Sequence, residues 1–388
     1  MALAPVWLVS FSLHALIRWR VTPGLYEVYA PLALAFGVLL VLSAALVPMG
    51  LVARRVTKPP VSEVLTWMGL LCMGLFSTLL VLTVLREGLL LVALALNALW
   101  PETLAMATLT THTALALPVV GVLITALGFW NARRTASVVH IDVPIANLPA
   151  VLQGFTVAQI SDVHVGPTIK SGYLQRIVDQ VNSLNADMVA ITGDLVDGSV
   201  RELGAHVAPL ATLSSTHGTF FVTGNHEYYS GAHSWIDALR ALGIQVLMNE
   251  HVVLHHNSDS QDPERAVLVV AGVTDFTAHL FDESHRSNPA EALLDAPPLT
   301  LFKILLVHQP RSAPAAAAAG FDLQLSGHTH GGQFWPWMYF VKLQQPFTAG
   351  LHKLESLWVY TSRGTGYWGP PKRFGAPSEI TCLRLVRT

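Results

Sequence analysis

Charge is what this chain lacks most. Of its 388 residues only 12% are Asp, Glu, Lys or Arg, against about a quarter in a soluble globular protein, and 52% are hydrophobic. The scarcity is uneven, because only ten of the 48 charged residues fall within residues 1–130. Cysteine is nearly absent as well. Cys72 lies in an apolar stretch and Cys382 near the C-terminus, neither in a C-x-x-C pair. That excludes a cysteine-built zinc or redox centre and leaves both as small apolar residues. A basic excess is also missing. The net charge is −2 and no Arg/Lys stripe or aromatic-studded basic groove occurs, which excludes nucleic acid as a partner. No internal repeat is present, and the run Ala315–Ala319 reads as a helix face.

Long apolar runs are what the first third does have. Leu32–Ala53 ends at Arg54-Arg55, Val64–Leu85 at Arg86-Glu87, and Ala114–Trp130 at Arg133-Arg134. Each is about long enough to cross a bilayer. Ala2–Trp19 is a weaker fourth, holding His14 and closed by Arg18 and Arg20 around Trp19, an interface-type anchor. It has neither a basic start nor a small-x-small cleavage pattern, which argues against a signal peptide. Leu89–Trp100, followed by Pro101, is too short to span alone and reads as a fifth span or as a re-entrant or interfacial segment. The expectation is a transmembrane helical region over residues 1–134, with four spans and five as the alternative, followed by a domain over 135–388. His14, Asn97, Glu102 and His112 fit helix ends and helix contacts better than an ion path, so a transporter is the weaker reading.

After Arg134 the pattern changes. Ser137–Val143, Phe155–Ile160, Met188–Thr192, Thr219–Thr223, Val267–Val273, Lys303–Val307, Leu323–Leu325, Trp358–Thr361 and Ile380–Val386 read as short strands. Ser171–Leu184, Glu202–Leu213, Ser234–Leu242 and Ser312–Ala319 read as helices between them. Asn257–Glu264 reads as a polar loop and Phe281–Pro298 as a short helix and loop. Early strands alternate with helices and late strands cluster, the pattern of an α/β domain with sheets packed between helices.

Five motifs follow or end those strands in order. They are Ser161-Asp162-Val163-His164, Gly193-Asp194, Gly224-Asn225-His226, Val307-His308 and Gly327-His328-Thr329-His330-Gly331-Gly332-Gln333. Together they offer carboxylates, imidazoles and an amide oxygen, without thiolates. That donor set suits manganese, iron, zinc or cobalt rather than calcium or magnesium alone. Phosphate-ester hydrolysis needs a nucleophile and charge neutralisation at phosphorus, and two metals about 3.5–4 Å apart supply both. Asp194 is the natural carboxylate bridge. Asp162 and His164, two apart on what reads as an extended segment, point to one face, and His328 and His330 repeat that spacing. Glycines around the paired histidines suit close backbone approach. Taken singly, Asp-x-His is an ordinary loop and Gly-Asn-His an ordinary turn; the ordered set is what carries the reading.

From Ala136 onward the chain resembles calcineurin-like metallophosphoesterases, most of all the bacterial branch that joins transmembrane helices to this domain. Besides the five motifs, the resemblance includes Leu305-Leu306-Val307-His308-Gln309-Pro310, Asn225-His226-Glu227-Tyr228-Tyr229 and Tyr360-Thr361-Ser362-Arg363-Gly364, and no motif ligand is missing. It implies a four-layer α-β-β-α sandwich of two packed sheets flanked by helices. It also implies that Asp162, His164, Asp194 and His330 hold one metal and that Asp194, Asn225, His308 and His328 hold the other. His226 would contact the phosphoryl oxygen and protonate the leaving group.

The remaining histidines, His206, His217, His233, His251, His255, His256, His279, His285 and His352, match no motif and read as surface or packing residues. Arg363 is a candidate for a substrate phosphate or for a structural ion pair, and Asp197 and Asp275 are undecided. The aromatic run Phe334–Phe340 reads as a core lid or as a surface for a lipid chain. The expected activity is a membrane-anchored phosphohydrolase acting on phosphodiester or pyrophosphate bonds of a phospholipid or lipid-linked substrate. The alternative is a membrane sensor or scaffold that binds metal and phosphate without turnover. The positive-inside count places this domain in the cytoplasm, and the bacterial inner membrane is the expected location. Arg54, Arg55, Lys58, Arg133 and Arg134 fall on one side, against Arg18, Arg20 and Arg86 on the other.

Overall fold

The computed structural model describes residues 4–256, 267–298 and 300–388. The polar loop expected at Asn257–Glu264 lies outside them. The chain divides into two compact units, Met1–Trp130 with Gly369–Lys372, and Asn131–Trp368 with Arg373–Thr388.

The first unit is helical: α1 (Ala4–Val28), α2 (Ala30–Val56), α3 (Val61–Leu99) and α4 (Met106–Arg133). α2, α3 and α4 are each long and apolar enough to cross a membrane. Ile17, Val21 and Leu25 of α1 pack with Phe36 and Leu40 of α2, Leu79 of α3 and Leu117 of α4. The break expected at Arg86-Glu87 does not occur. One helix runs through it and absorbs residues 89–99, so this segment is not a separate helix. The reason is that the buried Arg86 finds partners inside the helical unit. Its guanidinium donates to the Arg20 carbonyl at 3.1 Å, the Thr110 carbonyl at 3.0 Å and Thr113 Oγ1 at 3.0 Å. Two other polar side chains of this unit are paired as well. His14 joins Ser10 O and Ser43 Oγ at 2.8 and 2.9 Å, and Asn97 closes the α3–α4 turn on both backbone groups of Leu104. Helix contacts and turns, not an ion path, account for both.

The second unit holds β1 (Ser137–Ile145), β2 (Thr156–Ile160), α5 (Ser171–Asn182), β3 (Met188–Thr192), α6 (Val200–Val207), β4 (Thr219–Val222), α7 (Asn225–Ser230), α8 (Ala232–Ala241) and β5 (Gln245–Val246). It continues with β6 (Glu250–His255), β7 (Val267–Gly272), β8 (Phe302–Leu306), α9 (Ala313–Ala318), β9 (Leu323–Ser326), α10 (Met338–Val341), β10 (Gly350–Leu354), β11 (Leu357–Thr361) and β12 (Glu379–Arg387). Two six-stranded mixed sheets result, in the orders β1-β12-β2-β3-β4-β5 and β10-β11-β9-β8-β7-β6. The central strands are buried on both faces, which is why Met188–Thr192 and Thr219–Val222 read as unbroken apolar runs. Val157, Met188, Phe220, Leu268, Ile304 and Leu325 fill the space between the sheets. Ile177 of α5 and Trp235 of α8 cover the outer face of the first sheet, and Ala313 and Ala316 of α9 that of the second. The layers are therefore α-β-β-α, as the resemblance implied.

This topology is what gathers the motifs. β2, β3 and β4 run parallel, as do β7, β8 and β9. Their C-terminal ends deliver Asp162, Asp194, Asn225, His308 and His328 to loops at one rim, where ligands of parallel sheets collect.

Candidate functional site

The loops at that rim hold one another before they hold anything else. Asp162 N donates to Gly193 O at 3.0 Å, and His164 N to Asp194 O at 3.1 Å. Asp162, His164, Asp194, His328 and His330 all have left-handed backbone, with φ between 50° and 72°. The extended geometry expected for the Asp162-His164 pair is therefore wrong: both residues sit on reversed backbone in a tight loop. Such conformations cost of order 1–3 kcal/mol each in a non-glycine residue and persist where the surroundings enforce them. Gly224 and Gly327 explain part of the enforcement. A Cβ on Gly327 would overlap Ser161 Oγ and Asp162 Oδ2, and one on Gly224 would overlap Asp194. Glycine lets the neighbouring loops close onto the two carboxylates.

Three overlapping groups of ligand atoms share this rim, and His164, Asp194 and His226 form the one that links the other two. In one, Asp162, His164 and His330 converge, with the His164 and His330 Nε2 atoms 3.1 Å apart and His330 Nε2 3.5 Å from Asp162 Oδ1. In the other, Asp194, His308 and His328 converge, with His308 Nε2 3.1 Å from Asp194 Oδ2 and 3.1 Å from His328 Nδ1. Asp194 Oδ2 also lies 3.9 Å from His164 Nε2 and 3.9 Å from His226 Nε2. It stands between the groups. Imidazole nitrogens about 3 Å apart suit ligands of one ion with bonds of about 2.0–2.1 Å. The His308 ring is oriented by its Nδ1, which lies 2.7 Å from Thr192 O, so that Nε2 faces Asp194. That is the outer hydrogen bond a ligating imidazole usually makes.

Asn225 Oδ1 gives the test of whether a cation fits. It is buried and has no hydrogen-bond partner, a costly state for an amide oxygen. A metal would satisfy it. The electrostatics agree. Burial works against a charged His308, but the Asp194 and Asp162 carboxylates hold its pKa well above the usual value. Burial likewise opposes a charged Asp194, yet the His308 imidazolium beside it drives its pKa well below the carboxylate range. A proton thus sits where a cation would, and metal binding would displace it. Burial, then His308, pushes His328 down to about 3, and burial with the Arg373 guanidinium keeps His330 neutral. Both stay in the ligand form.

Outside the motif residues, the structure brings in four groups that sequence reasoning left undecided or gave no role. Asp197 Oδ1 joins His226 Nδ1 at 2.6 Å and His164 Nδ1 at 3.2 Å. Its pKa lies well below the usual range, because the two imidazoles outweigh its burial. Its place three residues after Asp194 was the available signal. Glu227 is buried and accepts the backbone N–H groups of Asp194, Leu195 and Gly224 at 2.7–2.9 Å, fixing the Asp194 loop. It can reach back because Gly224-Asn225-His226, which read as a turn, opens α7 with Glu227 in the third helical position. Asp275 is bound by Gln309 Nε2 at 2.9 Å, next to His308. Arg363 is ion-paired through Nε with Glu379 at 2.6 Å.

The sequence matches the family model for calcineurin-like phosphoesterase over residues 155–332. A protein of Danio rerio called "Transmembrane protein with metallophosphoesterase domain" is 37% identical over 278 residues, 71% of this chain and 62% of that protein. Its namesake in Bos taurus is 38% identical over 276 residues, 70% of this chain and 62% of that one. A metallophosphoesterase of Campylobacter jejuni is 37% identical over 273 residues, 70% of this chain and 69% of that protein. The chain belongs to the calcineurin-like metallophosphoesterases, with candidate metal ligands in place and an N-terminal region of apolar helices. It spans less than two thirds of the length of the fish and bovine relatives.

Proposed function

We propose that the protein is a membrane-anchored two-metal phosphohydrolase that cleaves phosphodiester or pyrophosphate bonds, with lipid-linked substrates as the leading class. One observation carries this reading: Asp194 stands between two His/Asp groups, beside an amide oxygen that has no other partner. Asp162, His164, Asp194 and His330 would hold one ion, and Asp194, Asn225, His308 and His328 the other. When bound, two ions of the manganese, iron, zinc or cobalt type supply charge neutralisation at phosphorus and an activated water.

The chain's own part is proton delivery and alignment. Asp197 fixes the His226 ring through Nδ1 and leaves Nε2 turned toward the Asp194 side of the site. Burial disfavours a charged His226, but the Asp197 hydrogen bond and the Asp194 charge raise its pKa to about 9 in the metal-free chain. In that metal-free state His226 carries a proton at neutral pH, held by Asp197. As the water oxygen bonds to phosphorus, the leaving oxygen departs with its bonding electrons and takes the Nε2 proton, which is general-acid catalysis. Arg363, whose Nε is held by Glu379, would offer its terminal nitrogens to a phosphate oxygen.

Apolar residues support the lipid-linked class. Tyr229 and Trp368 are 63% and 54% exposed, with rings 5.2 and 5.7 Å from that of His226. Within the aromatic run, Phe334 is buried as a lid residue would be, but Trp337, Tyr339 and Phe340 are exposed. Only residues 134–136 separate α4 from β1, so the connection itself keeps the domain within reach of a bilayer. Arg54, Arg55, Lys58, Arg133 and Arg134 favour the cytoplasmic side for this domain.

The test is Asp194→Asn in purified full-length protein. Turnover of bis(p-nitrophenyl) phosphate should fall by at least about 10³-fold, more than loss of a single transition-state donor costs, with metal content reduced alongside. Wild-type turnover in a metal-reconstituted Asp194→Asn protein would refute the reading.

A further inference from the structure

Away from the rim, a second set of ligand atoms converges. His233 lies in the first turn of α8, and Asp282 and His285 bracket a 3-10 turn at Glu283–His285. His233 Nε2 is 3.1 Å from Asp282 Oδ2, and the rings of His233 and His285 are 4.9 Å apart. One ligand atom from each of the three residues lies within 4.8 Å of the other two.

The local chemistry presets these side chains. Positions i and i+3 of a 3-10 turn eclipse, so Asp282 and His285 share a side. Asp282 Oδ1 caps the turn, accepting from Ser284 N at 3.0 Å and Ser284 Oγ at 2.6 Å, which leaves Oδ2 to face His233. His285 is anchored twice. Its carbonyl accepts from Thr274 Oγ1 at 2.8 Å, and its Nδ1 is 3.0 Å from the Tyr228 hydroxyl. That ring contact is the outer bond that orients a ligating imidazole and leaves Nε2 for the ion.

We propose that His233, Asp282 and His285 form a separate divalent-metal site of the zinc class, with water in the fourth position, that clamps the 278–285 segment to α8. Two imidazoles and one carboxylate with an open position are a familiar zinc set. The clamp has somewhere to act. The segment carries Phe281, whose ring lies 5.7 Å from that of Tyr228 and 5.6 Å from that of Tyr229, and Tyr229 borders His226. An ion here fixes the aromatic wall beside the proton donor without touching the reacting atoms.

The competing account is a plain His233–Asp282 hydrogen bond with no ion. Full-length protein in detergent, stripped of metal and re-equilibrated with buffered micromolar Zn²⁺, is analysed for zinc per chain in the wild type, in His233→Ala and in the double variant His233→Ala/His285→Ala. The expected result is one ion fewer per chain in both variants, with turnover of bis(p-nitrophenyl) phosphate in Mn²⁺ within twofold of wild type. Because the readout is a difference of one ion, it does not depend on how many ions the Asp194 centre holds. Zinc should also slow hydrogen exchange across residues 278–285 in the wild type and not in His233→Ala, whose exposed side chain can be removed without disturbing the core. Equal zinc content in wild type and His233→Ala, or identical exchange of this segment with and without zinc, overturns the proposal.

Discussion

The two regions of this chain bury polar groups in opposite ways. In the helical region each buried polar side chain discussed above is spent on another helix or a turn: His14 on Ser10 and Ser43, Arg86 on Arg20, Thr110 and Thr113. Such bonds are worth roughly 0.6 kcal/mol in a membrane protein and hold helices together. In the C-terminal domain the buried polar groups are turned on one another. Asp162, His164, Asp194, His328 and His330 crowd together on reversed backbone, with His308 packed against Asp194, and Asn225 Oδ1 has no partner. The groups named in the first pattern find their partners without a ligand, and Asn225 Oδ1 in the second does not. Polar groups that raise the cost of folding, held where several loops converge, mark a place kept for chemistry. By that criterion the function proposed above divides the chain into helices that anchor and a rim that does the chemistry.

The sharpest way to break this contrast is at His226. His226→Asn should lower kcat by about 10²–10³-fold on a phosphodiester with a poor leaving group, the usual worth of a general acid. The loss should shrink on p-nitrophenyl esters, whose leaving group needs no proton. His14→Ala in the helical region should leave kcat per folded molecule unchanged. Equal losses on both leaving groups would remove His226 from its proton-donating role.

Asp197→Asn comes next, with a loss of about 10–100-fold, as for outer groups that orient a first shell. The pH profile gives it a signature. The proton donor must be charged, so activity falls as pH rises through the His226 pKa, which Asp197 helps to raise. Removing that carboxylate lowers the pKa, and the alkaline limb of kcat/KM should move to lower pH. An unmoved limb with a tenfold loss would make Asp197 a merely structural residue.

Much of this rim was legible in the sequence because parallel strands announce themselves. The apolar runs at Met188–Thr192 and Thr219–Val222 placed β3 and β4 within a residue, and with them the loops that carry Asp194 and Asn225. What stayed hidden was what tertiary structure decides. β5, β6 and β10 are short or partly exposed and carry no strong pattern. α7 read as a turn because Gly-Asn-His is one by default, and only the reach of Glu227 back to Gly224 shows a helix start. Arg86 read as a helix end because charge normally ends a span, and its burial depends on Thr110 and Thr113 of another helix. The convergence of His233 with Asp282 spans 49 residues and has no motif.

A smaller effect tests the anchoring half of the contrast. If tethering serves a substrate in the membrane plane, full-length protein in vesicles should favour a lipid-embedded phosphodiester over a water-soluble analogue by about tenfold or more in kcat/KM, since tethering raises effective concentration only for partners within reach. A tenfold preference for the soluble analogue would remove the lipid from the assignment while leaving the metal chemistry intact.

The smallest expected change in turnover belongs to Gly69. It meets Gly50 where α2 crosses α3, and a Cβ there would press on Gly50 and on the Leu46 carbonyl. Small residues at such crossings let helix backbones approach and pack, which is the main attraction between helices in lipid. Gly69→Leu must push α2 and α3 apart, so the helical region should lose thermal stability in detergent, by about 1–3 kcal/mol if it behaves as an overpacked core. Turnover of a soluble aryl phosphodiester per folded molecule should stay within twofold, because the ligand loops are held by groups of the C-terminal domain, Glu227, Thr192 and Arg373 among them. A kcat that falls several-fold while metal content and fold are retained would mean that the helices set the geometry of the rim, and the division between anchoring and catalysis would have to be abandoned.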